Sequence, residues 1–506
     1  MSDYNFLMDT RLSPEQLQVV NTLSRLAAGQ MLNLYLVGGA VRDLTFGQQI
    51  IRDLDFALEG SPQKVLKQLE AARGGRRAAP EALRLAHARY NSRLESADLV
   101  FSNGVRAELA MCRSEFYPKP GRRPEISPAP IFDDLKRRDF SVNAMAVSLH
   151  PNSRGLLLDP TNGAADIERQ ELRVLHTRSF SEDPLRLYRL LRLGLRLGFK
   201  PDERTAGLFA NAIEYGYWTR LDADQQAREI QAILHEENPA RVLKALSERG
   251  LLKGLDRKLA SVPLNYDRFA RIRAAAQSLP GADPFLLNFL CLTEKFGGGL
   301  RKRLARRVIQ DPREARFALA LEKGAKKLAR LLSSGKASKP SQVYLLLEDQ
   351  PRVLLLYLLV HFPQAKVQTR LKAYLNKFPQ VRARIPRGEI QALGIEPGPK
   401  LEKVIEQLFL DTLDGKIKTH PQLLKAARAI AGIPEPKPEP KPKPKPAPKK
   451  SEPKPAATKA EAPAPQAVAA SKKKAVARKP SSARKPRAKP QGKTKRKPKK
   501  AAGKKK

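Results

Sequence analysis

Leu36-Val37-Gly38-Gly39-Ala40-Val41-Arg42-Asp43 is followed, about ten residues later, by Arg52-Asp53-Leu54-Asp55-Phe56. The first stretch reads as an apolar strand entering a paired-glycine turn. The second reads as a strand with carboxylates at i and i+2, so Asp53 and Asp55 share one face while Leu54 and Phe56 share the other. Like charges ~4 Å apart repel by about 1 kcal/mol in water and several-fold more near a protein surface. A divalent cation relieves that repulsion, and Mg²⁺ suits a few carboxylates, water and substrate phosphates better than an all-protein cage. Gly38 and Gly39 lack Cβ atoms, so their backbone can approach a triphosphate and offer it N–H groups.

Downstream segments extend this pattern. Val105 to Arg113 reads as a half-buried strand with one acid, Glu108, as the candidate third carboxylate. In Asp134 to Ala146, two arginines precede Asp139, and Asn143 lies four residues on. That places phosphate-binding cations beside groups able to bond a ribose hydroxyl. Ser181-Glu182-Asp183-Pro184-Leu185-Arg186 opens a leucine-rich helix, for which Ser181 is the expected N-cap and Pro184 a first-turn residue. Asp183, Arg186, Arg189 and Arg192 recur every third residue as a slanting polar row.

The segments LVGGAVRD with DLD, ELAMCR, KRRDFSVNAMA and EDPLRLYRLLR occur in the order and spacing of one family. The chain resembles the class II tRNA nucleotidyltransferases, the superfamily of CCA-adding enzymes and bacterial poly(A) polymerases. The resemblance implies that Asp53 and Asp55 hold Mg²⁺ in a two-metal site and that Glu108 orients or activates a primer 3′-hydroxyl. It places Gly38, Gly39 and Arg42 against the incoming triphosphate, Arg138 as charge compensation, and Asp139 with Asn143 near the ribose. Asp183 and Arg186 would read the Watson–Crick edge of the base, with Arg189 and Arg192 along the nucleotide site. The implied substrates are ATP, CTP and a tRNA 3′ end, which receives CCA or part of it. Poly(A) addition is the enzymatic alternative, and a catalytically weak RNA-binding protein the non-enzymatic one.

Two places depart from the family pattern. In Ala223 to Ile230, Gln225 stands where relatives have an arginine, which puts contacts of the neck in question. Arg73-Gly74-Gly75-Arg76-Arg77 and Arg89-Tyr90-Asn91-Ser92 replace a plainer strand pair, in a region that the family links to the switch from C to A addition. The six histidines include no His-Asp dipeptide, so a metal-dependent phosphohydrolase appendage has no support.

The expected fold class is α+β. Residues 1–178 alternate strand and helix patterns and form the expected catalytic head, with a small mixed sheet and helices. Residues 179–240 and 241–432 are the expected helical neck and helical, tRNA-binding body. With 506 residues and 41% hydrophobic content, the chain can bury cores for two or three domains. Cys112 and Cys291 are the only cysteines, which argues against a disulfide scaffold or zinc cluster and suits a reducing cytoplasm. The longest apolar run, Val353 to Phe362, is far short of a membrane span, and the N-terminus lacks a secretory signal pattern. In the body, the glycine turn with Gly394 and Gly398, followed by Lys400 and a helix, is a candidate RNA phosphate site.

Residues 433–506 are largely Lys, Pro and Ala. From Pro434 onward, 26 Lys and Arg face four Glu, or +22 of the total +44. Such a segment cannot bury enough surface to offset its ordering entropy, so disorder is expected. It should bind nucleic acid without sequence preference and release it with salt.

Overall fold

The computed structural model describes residues 3–48, 51–71 and 84–434. The expected basic tail and the Arg73–Arg77 segment lie outside the described residues. Those described belong to one compact unit, Met1–Pro436.

The first half holds a seven-stranded mixed sheet. Its strands are β1 (Leu34–Val37), β2 (Leu54–Leu58), β3 (Leu85–Asn91), β4 (Ser96–Phe101), β5 (Arg106–Met111), β8 (Ala146–Ser148) and β9 (Leu157–Leu158), in the order β3-β4-β5-β2-β1-β8-β9. A separate hairpin joins β6 (Arg113–Phe116) to β7 (Glu125–Pro128). Among the described strands of the large sheet, only β2 and β5 run parallel; the other pairs are antiparallel.

Alternation along the strands gives the sheet two different faces. Leu34, Leu36, Leu54, Phe56, Leu99 and Leu109 are buried in the main core. Each such side chain contributes about 1.5–3 kcal/mol when fully buried. On the opposite face, Tyr35, Val37, Ala57 and Ala146 pack with Ile131 and Leu135 of helix Ile131–Lys136 in a smaller core. Beyond that helix the same face becomes polar. A cross-strand row runs Arg89, Asp98, Glu108, Asp55, Val37, Ala146 by successive register pairs.

One expectation about β2 is corrected. The strand begins at Leu54, so Asp53 precedes it as an exposed residue, while Leu54 and Phe56 face the core as expected.

After residue 178 the described chain is almost entirely helical, apart from Lys200–Pro201, which pair in parallel with Glu171–Leu172. Helix Leu185–Leu197 buries Leu185, Leu187, Tyr188, Leu190 and Leu193. Its start differs from expectation. Ser181 lies inside a short preceding helix, Ser179–Glu182, and Pro184 is the N-cap. Asp183 carries out the capping instead, its Oδ1 accepting the Leu185 N–H at 3.1 Å. The apolar run near Val353 forms the buried helix Arg352–His361, and no helix among the described residues is long and apolar enough to cross a membrane.

Candidate active site

The turn after β1 creates the floor of a cleft. Gly38 has φ +68°, which a residue with a Cβ adopts only under strain. A Cβ placed there would lie 3.2 Å from Arg138 Nη1 and 3.4 Å from Asp55 Oδ2. Gly38 therefore keeps open the gap between cation and carboxylate. It also begins helix Gly39–Phe46, whose first-turn N–H groups are free for an anion.

Asp55 and Glu108 are Cα register partners on the parallel strands β2 and β5. Burial pushes the Asp55 carboxyl up to about 7; the Glu108 charge adds to this, Arg138 opposes it, and Asp53 contributes a smaller upward push. Glu108 opens into the cleft, yet its surroundings still raise its carboxyl, first by desolvation and then through Asp98, against the pull of Arg113. The three carboxylates do not converge on one point: no group of three or more ligating side chains occurs among the described residues.

An alternating charge network supports the cationic wall. Asp134 is 1% exposed and holds Arg137 Nη2 at 2.6 Å and Arg138 Nη2 at 2.8 Å, one arginine on each carboxylate oxygen. Glu115 holds Arg137 Nη1 at 2.8 Å and Arg113 Nε at 3.1 Å. Burial works against the Asp134 charge, but Arg138 and Arg137 outweigh it and hold the carboxyl below its usual range. The Tyr117 hydroxyl donates to Glu115 at 3.0 Å and faces Asp183 and Arg186.

The remaining expected residues fall into connected pairs. Asp139 accepts hydrogen bonds from the Phe140 N–H at 2.8 Å and Asn143 Nδ2 at 3.0 Å, and Arg189 stands 3.8 Å away. Asn143 Oδ1 in turn accepts from Arg42 Nη1 at 2.6 Å. Arg42 is buried and also bonded to Asp43, so it braces Asn143 instead of standing free in the cleft. Arg186 is buried too: Nη1 donates to Ser179 Oγ at 2.8 Å, and Nη2 to the Arg137 carbonyl at 2.6 Å. Its Nε has no hydrogen-bond partner among the described residues and lies 3.9 Å from Asp183 Oδ2. Arg192 turns to Glu229 and Glu236, both at 3.1 Å, tying its helix to helix Ala223–Leu234.

These residues border a cleft of about 810 Å³ that contains Gly38, Gly39, Asp55, Glu108, Arg138, Asp139, Asn143, Asp183, Arg186, Arg189 and Arg192. A neighbouring cavity of about 310 Å³ shares Asp55 and Asp139 and adds Arg42 and Asp53. Asp55 thus stands between the two spaces. Gly394, Gly398 and Lys400 border neither, and lie around the start of helix Pro399–Leu413.

Sequence reasoning assigned no role to Asp134, Glu115 or Tyr117, and read Arg137 only as a phosphate-binding cation beside Arg138. Arg113, Glu115 and Tyr117 do alternate with exposed residues, which is the pattern of one strand face, but which face meets the cleft depends on the hairpin's placement. Gln225 has a local explanation. It completes a capping box with Asp222, its N–H donating at 2.8 Å and its Oε1 accepting the Asp222 N–H at 2.9 Å. Arginine has no acceptor atom and cannot make the second bond.

Residues 34–173 match the family model of the poly(A) polymerase head domain. An A-adding tRNA nucleotidyltransferase of Geobacter sulfurreducens is 26% identical over 437 residues, covering 84% of this chain and 48% of the relative. The chain thus spans about half of that longer protein. An A-adding tRNA nucleotidyltransferase of Halalkalibacterium halodurans is 26% identical over 429 residues, 83% of this chain and 94% of the relative. A CC-adding tRNA nucleotidyltransferase of Deinococcus radiodurans is 37% identical over 248 residues, 48% of this chain and 62% of the relative. With its glycine turn, paired carboxylates and arginine-lined cleft, the chain carries a poly(A) polymerase head domain over residues 34–173 and is similar to A-adding and CC-adding tRNA nucleotidyltransferases.

Proposed function

We propose that this chain is a template-independent RNA nucleotidyltransferase that adds CCA, or the CC or A part of it, to tRNA 3′ ends from CTP and ATP. The observation that carries the reading is the pairing of Asp55 with Glu108 at the floor of a cleft whose walls hold Arg138, Arg189 and Arg186. The names of the similar proteins, A-adding and CC-adding, support tRNA as the acceptor and leave both partial activities in the reading.

The residues present fit Mg²⁺. Asp55 accepts no hydrogen bond among the described residues, and burial with a neighbouring carboxylate makes its charge costly without a cation. Asp53 and Asp55 would hold the metal, with water and substrate phosphates completing a shell of the kind Mg²⁺ prefers. When bound, the metal supplies charge stabilisation to the attacking and leaving oxygens. Gly38 and Gly39 take the triphosphate on backbone N–H groups, and Arg138 offsets its charge. Asp139 and Asn143 meet the ribose. Asp183 and Arg186 offer an acceptor and a donor to the base edge, and Glu108 orients or activates the primer 3′-hydroxyl. The product side is set by the chemistry: the 3′-oxygen joins the α-phosphate and pyrophosphate leaves.

Head, neck and body are proposed as 1–178, 179–240 and 241–432, with tRNA across the body, and the cytoplasm is the proposed compartment. The test is incorporation of labelled CTP and ATP by Asp53→Ala with Asp55→Ala. Lost incorporation with retained tRNA binding is expected; retained incorporation would overturn the site assignment.

A further inference from the structure

Near the cleft, the chain builds an aromatic stack with one open face. Tyr215 ends helix Glu203–Glu214, and Tyr217 begins a short 3₁₀ turn, Tyr217–Arg220. Side chains at i and i+2 do not face one another in a helix. Here Gly216, at φ +67°, reverses the backbone between them. The two rings stack with centroids 5.9 Å apart and an interplanar angle of 21°. The Arg220 guanidinium lies 4.9 Å from the centroid of the Tyr217 ring. Tyr217 packs partly against the core, but Tyr215 is 70% exposed.

This stack adjoins the head. Gly121, in the β6–β7 loop, presses on Arg220 so closely that an added Cβ would lie 2.7 Å from Arg220 Cβ. Two residues on, Arg123 borders the cleft and binds Asp222 at 3.0 Å and Asp224 at 2.6 Å. The same loop exposes Lys119 and Arg122, neither of which has an ion-pair partner among the described residues. An open aromatic face, stacked on a turn that packs against a loop with two exposed cations and a residue of the cleft wall, suits an unpaired nucleotide whose base stacks while its phosphates meet the cations.

We propose that Tyr215 is a stacking platform for an unpaired nucleotide near the 3′ end of the RNA substrate, with Lys119 and Arg122 meeting its phosphates. The proposal rests on the RNA nucleotidyltransferase reading but concerns a surface outside the nucleotide cleft. It is tested with full-length protein and tRNA lacking CCA that carries 2-aminopurine at its unpaired 3′-terminal position. Wild-type protein and Tyr215→Phe should quench the fluorescence by stacking, and Tyr215→Ala should lose most of the quench. The RNA KM of Tyr215→Ala should rise roughly five- to tenfold, with kcat and the KM for CTP and ATP unchanged. Lys119→Glu with Arg122→Glu should raise the RNA KM and flatten its salt dependence. Equal quenching by wild type and Tyr215→Ala would overturn the platform, as would loss of the quench in Tyr215→Phe, which would indicate a hydroxyl contact instead. If wild-type protein incorporates no nucleotide, the enzymatic reading fails, while the fluorescence titration still decides the platform.

Discussion

Asp55 and Glu108 face the same cleft from neighbouring strands, one on each side of the parallel register that β2 and β5 form within the large sheet. Two carboxylates so placed destabilise the metal-free fold and prepare it for a cation. Asp55→Asn should therefore abolish incorporation while stabilising the protein in EDTA at pH 8 by about 1–3 kcal/mol. Thermal unfolding and an incorporation assay check both halves; a less stable Asp55→Asn protein would show that the carboxylate is already compensated without metal.

Gly38→Ala should be costly in two ways. The positive φ strains the backbone by about 1 kcal/mol, and the new Cβ crowds Arg138 and Asp55. The expected outcome is a higher KM for CTP and ATP, with the RNA KM little changed. An unchanged nucleotide KM would mean that the triphosphate binds elsewhere.

Asp134→Ala removes the carboxylate shared by Arg137 and Arg138, leaving Arg138 without its carboxylate partner and Arg137 with Glu115 alone. Breaking such a buried network costs about 3–5 kcal/mol, readable by urea unfolding. Asp134→Asn should recover part of the packing but little of the loss. A cost near zero for both would show that the arginines find other partners.

His361 offers a pH test away from the cleft. Its ring stacks on Tyr357 with centroids 4.2 Å apart, and burial, then Arg268 and Arg271, pull its pKa down to about 4. The unfolded value is about 6.5, so the folded state favours the neutral ring. The associated stability is present above pH 6.5 and is lost as pH falls from there through about 4. Allowing for solvent screening, it amounts to about 2 kcal/mol. His361→Gln should make unfolding free energy less dependent on pH across that window; an unaltered slope would exclude His361 as its source.

Much of this site is legible in the sequence. Glycines followed by a spaced acid pair require a turn and a strand edge, so Gly38, Asp55 and, from its apolar flanks, Glu108 can be placed by alternation alone. Local rules fail where tertiary packing decides. Asp53 lies before β2, and Asp183 outcompetes Ser181 as the group that caps the leucine-rich helix. The bond of Arg42 to Asp43 is local, but its bond to Asn143, 101 residues away, comes from packing that no local pattern shows. Asp134 and Glu115 gain their roles only when helix Ile131–Lys136 and the β6–β7 hairpin pack beside the same cleft.

The basic tail gives a prediction from composition. Removing residues 435–506 should weaken tRNA affinity and flatten its salt dependence without removing incorporation. An inactive truncated protein would place part of the catalytic requirement in the tail.

The central claim is tested most directly by nucleotide incorporation with Mg²⁺ on three acceptors: tRNA lacking CCA, tRNA ending in CC, and an unstructured RNA, each with labelled CTP or ATP. The account predicts addition to tRNA that stops within the CCA sequence: C, C and A, or only its CC or A part. Long A tracts on the unstructured RNA, or no incorporation on any acceptor, would contradict it.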